Sequence, residues 1–218
     1  MATGMNRNDP TAAPPRLEVR GLQCRRGERT LFERVDLSVG RGELVWLRGA
    51  NGQGKTTLLR TLAGLSAAET GRITWGGEAT GPSPVYLAHA NGLKEDLTAA
   101  ESLRFLMRLA GDEASESELD AALARFGMAA RRDAPVRTLS QGQRRRVALA
   151  RLAVAREPTT WLLDEPFDAL DASGIDTLNE ILVAQAKRGG SIVLTSHVPL
   201  VIQDPRPVVV MLESAAAA

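Results

Sequence analysis

A chain of 218 residues with 44% hydrophobic and 24% charged side chains is long enough to bury a large core and has the balance of an ordinary globular protein. A formal net charge of +1 gives no reason to expect nucleic acid as a partner, and Cys24, the only cysteine, excludes an internal disulfide and suits a reducing compartment. No apolar run approaches the roughly 18 residues of a membrane-spanning helix, and the start lacks the apolar stretch of an export signal, so the chain is expected neither to span a membrane nor to be exported by itself.

Residues 1–15, with Pro10, Pro14 and Pro15 among Ala, Asn and Thr, read as a loose leader, residues 16–212 as one domain, and residues 213–218 as a disordered tail. Apolar and polar residues alternate from Leu17 to Val39 in two segments separated by Arg25-Arg26-Gly27-Glu28, which predicts a hairpin. Leu44-Val45-Trp46-Leu47 reads as a buried strand, residues 55–63 as a helix stopped by Gly64, and residues 71–78 as a strand with a glycine-rich turn. Leu103, Leu106, Met107 and Leu109, then Leu119, Ala122, Leu123 and Phe126, recur at helical spacing. With a further helix over 139–155 they predict a helical subdomain spanning about 95–155. Trp161-Leu162-Leu163 and Ile192-Val193-Leu194 read as buried strands around a helix over 175–188, and residues 208–212 as a last strand. Strand and helix alternate from Glu43 onward, which predicts an α/β fold: a core of mostly parallel strands flanked by helices, with an antiparallel β subdomain and a helical subdomain.

The segment Gly49-Ala50-Asn51-Gly52-Gln53-Gly54-Lys55-Thr56-Thr57 fits Gly-x-x-x-x-Gly-Lys-Thr and lies between a predicted strand and a predicted helix, the context of a P-loop NTPase core. Its glycines let successive N–H groups turn inward toward phosphate oxygens, and the helix N-terminus adds positive potential. Lys55 suits supplying a full charge to the β- and γ-phosphates of a nucleotide, and the Thr56 hydroxyl suits the shell of Mg²⁺. Lys55, Lys94 and Lys187 are the only lysines among 27 Lys and Arg, so a lysine at this position is not compositional drift. Asp164 and Glu165 follow a buried strand run, where an α/β sheet places its ligands. Taken alone such a pair is most often a solvated strand end; here Asp164 suits Mg²⁺, and Glu165 suits orienting and deprotonating an attacking water.

Leu139-Ser140-Gln141-Gly142-Gln143 with the run Arg144 to Arg151, Asp168-Ala169-Leu170-Asp171, and Thr195-Ser196-His197 complete an ordered set. Together with the P-loop and the Asp164-Glu165 pair they resemble the ATP-binding cassette (ABC) ATPases over residues 16–212. The resemblance implies that Ser140, Gly142 and Gln143 face the γ-phosphate held by a second copy of the chain, two copies enclosing two ATP head to tail. It also implies that His197 reaches the γ-phosphate and the attacking water, although a lone His after an apolar strand is more often structural. The Arg145-Arg146 region reads as a solvated face near bound phosphate.

Two positions depart from the general cassette pattern. His89 stands where most members carry a glutamine that contacts Mg²⁺ and couples the site to the membrane partner; it can still accept from a metal-bound water, with shorter reach. Arg26 stands where an aromatic residue usually stacks on adenine; its guanidinium can stack on a base, or it can be a solvated turn residue. Arg29-Thr30-Leu31-Phe32, the His89 segment with Gly92-Leu93-Lys94 and Leu97-Thr98-Ala99, and Thr195 to Leu200 resemble the CcmA-type ATPases of cytochrome c maturation. That resemblance implies a multi-span membrane subunit of the CcmB type and further haem-handling membrane proteins as partners, and ATP hydrolysis that drives haem export or release of a haem-loaded chaperone. It places the chain peripherally on the cytoplasmic face of the inner membrane. A cassette serving a transporter for another substrate is the alternative; the coiled-coil insertion or twin cassettes of non-transport members are not seen.

Overall fold

The computed structural model describes residues 14–26, 29–79, 83–155, 157 and 159–213, apart from the side chains of Arg26 and Arg29. The expected leader over 1–13, the turn at Gly27 and Glu28, and residues 214–218 lie outside the described residues. The chain runs β1 (Leu17–Arg26), β2 (Arg29–Val39), β3 (Leu44–Arg48), α1 (Lys55–Leu62), β4 (Thr70–Trp75), β5 (Val85–Leu87), α2 (Ala99–Leu109), α3 (Glu116–Arg125), α4 (Gln141–Val154), β6 (Thr160–Leu163), α5 (Ala172–Lys187), β7 (Ser191–Thr195) and β8 (Val208–Met211). Two short 3₁₀ turns, Ala129–Arg131 and Val136–Thr138, lead from α3 into α4.

β1 and β2 form an antiparallel ladder in which Leu17, Val19, Leu22 and Cys24 share one core with Phe32, Leu37 and Val39, and register shifts after Val19 and Leu22 keep the apolar side chains inward where the spacing departs from two. β4, read in the sequence as a strand without a sheet assigned to it, pairs antiparallel with the other edge of β1, giving the order β2-β1-β4. Gly71 permits this close pairing, because a Cβ there would stand 2.6 Å from the Leu22 Cα. The second sheet is parallel throughout, in the order β5-β6-β7-β3-β8. Its strand β5, three residues long, had given no separate signal in the sequence.

The parallel sheet is the middle layer. Trp161 and Leu163 of β6, Ile192 and Leu194 of β7 and Leu44 of β3 pack toward α2–α5, while Leu162, Val193, Val45 and Leu47 pack toward α1 and the antiparallel sheet. Both faces are covered, so the central strands read as unbroken apolar runs. The helices of the insertion begin with paired caps: Thr98 with Glu101, Ser115 with Glu118, and Ser140 with Gln143 each exchange side-chain and backbone hydrogen bonds. The strand order brings the carboxyl ends of β6, β7 and β3 side by side, which gathers the three motif segments at one edge.

Candidate nucleotide site

The loop after β3 ends at Gly54, which adopts φ 91° as it enters α1; a Cβ there would meet Phe32 and Leu31 at 3.0 and 3.1 Å. No side chain caps α1 and its first turn carries no acidic residue, so its leading N–H groups are left for an incoming anion. Gln53 braces the loop by accepting from the Ala50 N–H. Lys55 lies back over the loop, its Nζ donating to the carbonyls of Gly49 at 2.8 Å and Ala50 at 3.2 Å.

Thr56 of α1 meets two buried residues, Asp164 just after β6 and Thr195 at the end of β7, behind the loop. The Thr56 hydroxyl donates to Asp164 Oδ2 at 2.8 Å, and the Thr195 hydroxyl donates to Asp164 Oδ1 at 2.9 Å while accepting from the Glu165 N–H at 2.8 Å. Asp164 is 2% exposed and Glu165 8%. Glu165 takes a left-handed backbone, φ 46°, at the end of β6, a conformation that costs a non-glycine residue energy and is held only by its surroundings. Its Oε2 accepts from the His197 N–H at 2.9 Å, and His197 Nε2 stands 3.4 Å from Oε1. Burial and the nearby Asp164 carboxylate push the Tyr86 hydroxyl above its ordinary pKa of 10.0.

These groups open onto one cleft of about 980 Å³, lined by Asn51, Gly52, Gly54 and Lys55 to Thr57 on one side and by Asp164, Glu165, His197 and His89 on the other. Gly49, Ala50 and Gln53 do not line the cleft; the first two offer their carbonyls to Lys55, and Gln53 accepts from the Ala50 N–H. His89 is 65% exposed, its Nδ1 3.5 Å from Asp168 Oδ2. At the far end the cleft is walled by Cys24, Arg25 and Leu31, close in sequence to Arg26, whose side chain is outside the described atoms. Ser140, Gly142 and Gln143 are not brought to this cleft; with Arg146 and Asp171 they border a separate hollow of about 270 Å³. Ser140 and Gln143 spend their side chains on the cap of α4, at 3.2 and 3.0 Å, and Gly142 leaves no room for a Cβ, which would stand 2.7 Å from the Ala169 carbonyl.

An ABC transporter family model matches residues 32–168. A Nitrosomonas europaea protein described as the cytochrome c biogenesis ATP-binding export protein CcmA is 46% identical over 193 residues, covering 85% of this chain and 90% of that one. Proteins with the same description from Vibrio cholerae and from Escherichia coli strain K12 are 41% and 43% identical over 197 residues, covering 87% of this chain and 95% and 93% of theirs. The chain belongs to the ABC transporter family, in its CcmA group. The cassette therefore binds ATP and is an ATPase. Its fold matches that of an ABC transporter ATP-binding protein from Pyrococcus furiosus, with TM-score 0.77, 26% identity, and 90% and 96% of the two chains covered. The ATP-binding subunit of another ABC transporter matches with TM-score 0.73 at 31% identity, covering 84% of this chain and 79% of that one.

One expectation about the cassette is corrected. Arg145 is not part of a solvated face: it is 2% exposed, because on α4 it shares a stripe with the buried Ala148, Leu149 and Leu152, three, four and seven residues on. Burial pushes its guanidinium below the ordinary arginine value, and the charges of Asp168, Asp164 and Glu165 pull it back up. That helical stripe was readable in the sequence, but three consecutive arginines disguised it. Arg146 is also engaged, donating to the Phe126 carbonyl at 2.8 Å and to the carboxylate of Asp171.

Proposed function

We propose that this cassette is the ATP-hydrolysing subunit of a membrane ABC complex for cytochrome c maturation, with two copies closing head to tail around two ATP. The observation that carries the reading is the identity above 40% to CcmA proteins along most of the chain, in a molecule whose Lys55, Thr56, Asp164, Glu165 and His197 converge on one cleft.

In this mechanism the N–H groups of residues 52–57 and the Lys55 ammonium hold the phosphates of ATP and spread the charge that develops on them. Glu165 takes the proton of the attacking water, its carboxylate aimed by the His197 N–H and its backbone locked by Thr195. The His197 imidazole, 57% exposed at the cleft, contacts the γ-phosphate. The Thr56 hydroxyl and the Asp164 carboxylate are hard oxygen donors 2.8 Å apart, a set that fits Mg²⁺, with His89 on the same cleft as a ligand through water. When bound, Mg²⁺ would neutralise charge on the β- and γ-phosphates. Ser140, Gly142 and Gln143, standing apart from the chain's own cleft at the start of α4, supply the opposite wall of the partner's site.

Among the described residues no helix is long and apolar enough to cross a membrane. The proposed partners are a multi-span subunit of the CcmB type and haem-handling membrane proteins, with the cassette on the cytoplasmic face of the inner membrane. The test is to trap Glu165→Gln with ATP, purify it by a tag from detergent-solubilised membranes, and identify every co-purifying chain. Recovery of a multi-span subunit with haem-handling proteins is the expected result. Recovery of a different permease moves the function to transport of another substrate, and recovery of no membrane protein overturns the membrane-coupled reading.

A further inference from the structure

Arg145 lies in the second turn of α4, and its buried guanidinium forks between two segments that the chain keeps far apart. Nη1 donates to the carbonyls of Ala88 at 3.1 Å and His89 at 3.3 Å and to Asn91 Oδ1 at 3.1 Å. Nη2 donates to the carbonyls of Asp164 at 3.1 Å and Glu165 at 2.6 Å, and Nε to that of Pro166 at 3.3 Å. We infer that Arg145 is a positioning residue that ties α4 and residues 88–91 to Glu165, so that this carboxylate is aimed for hydrolysis only while all three are seated together.

The inference rests on the reading of Glu165 as general base, and three observations carry it. First, the partners of the fork are five backbone carbonyls and the amide oxygen of Asn91, all neutral, with no carboxylate within ion-pair distance among the described residues. A buried cation kept on such partners is an expensive way to fill space, since an apolar or amide side chain of similar size avoids the desolvation of charge. Second, the shortest of the six bonds falls on the carbonyl of Glu165, the residue with the left-handed backbone. With Thr195 holding its N–H and the His197 N–H holding its carboxylate, Glu165 is pinned at three points, one of which belongs to the helical subdomain. Third, only a planar fork spans both segments: lysine presents a point charge that can sit with one set of carbonyls or the other. Residues 88–91 carry His89 at the cleft, so a shift of that segment or of α4 must pull on the Glu165 peptide or break the fork.

The experiment compares Arg145→Gln and Arg145→Lys in the full chain, each alone and combined with Glu165→Gln, measuring single-turnover hydrolysis, steady-state kcat and KM for ATP, and the melting temperature. The expected result is a fall in kcat of about 10- to 100-fold with KM unchanged, as for a misplaced catalytic group. It should appear in Arg145→Lys even where that variant melts close to wild type. In the Glu165→Gln background, where the aimed group is gone, neither substitution at 145 should slow the residual turnover further. Equal fold losses with and without Glu165, or a kcat per folded molecule that stays at the wild-type value, overturns the inference while leaving Glu165 as base. Wild-type turnover in Glu165→Gln alone overturns the base reading instead.

Discussion

Thr195→Val keeps the outline of the side chain at the end of β7 and removes its hydroxyl. That hydroxyl is fully buried and makes two bonds, one given to the Asp164 carboxylate at 2.9 Å and one taken from the Glu165 N–H at 2.8 Å. A hydrogen bond to a charged group contributes roughly 1.5–3 kcal/mol and a neutral one roughly 0.5–1.5, and here both partners are left buried, so the loss should centre near about 3 kcal/mol. For a chain of this size that is a fall in Tm of about 6–12 °C. Thermal unfolding followed by circular dichroism, with urea unfolding for the slope, measures it, and Thr195→Ser is the control that retains both bonds. Hydrolysis should fall in the valine variant as well, since the Glu165 peptide loses one of its anchors. If Thr195→Val melts with Thr195→Ser, or within about 1 °C of wild type, the hydroxyl is not the lock between the two carboxylate residues and the reasoning fails.

Lys55→Ala should weaken ATP binding by about 10- to 100-fold in equilibrium dialysis, the value of one charge-assisted contact, and undiminished affinity would count against the phosphate-loop role. Gly142→Ala forces a methyl group to within 2.7 Å of the Ala169 carbonyl, so α4 must shift. Turnover should fall at least about 10-fold while titration with a fluorescent ATP analogue shows normal binding to the single chain, and unaltered turnover would mean that this packing is idle in the cycle. Asp171 is held below its ordinary pKa of 3.8, first by the Gly174 N–H at the start of α5, then by Ser173 and Arg146. A depressed carboxylate stabilises the fold above its unfolded pKa and loses that contribution as pH falls through the folded value. Melting temperature should therefore drop less steeply on acidification from pH about 5 to about 3 in Asp171→Asn than in wild type; parallel curves would refute the assignment.

The residues proposed to bind nucleotide and Mg²⁺ were legible because each sits in a short motif at the end of a recognisable element. Lys55 opens a helix after an apolar strand, Asp164 closes another strand, and the topology only had to bring those ends together. Thr195 was visible within Thr-Ser-His, but its bonding to Asp164 and Glu165 was not, since strand adjacency in a parallel sheet is set by pairings far apart in sequence. The sheet that β4 joins was not legible, since its pairing with β1, close enough at Gly71 to leave no room for a Cβ, is announced by no local pattern. Arg145 was hidden by its neighbours: in a run of three arginines one buries its charge, and only the helical phase relative to Ala148, Leu149 and Leu152 tells which.

The alternation inside β6, where Trp161 and Leu163 belong to one core and Leu162 to the other, means that the floor under the helical subdomain is contributed by strands outside it. Leu44, Ile192 and Leu194 join the same core from points scattered along the chain, together with α5. The helical subdomain is thus continuous in sequence but not in packing. An exchange of residues 95–155 between related cassettes would carry the helices away from the surface they were shaped against, and would succeed only if those five sheet positions travelled with the graft.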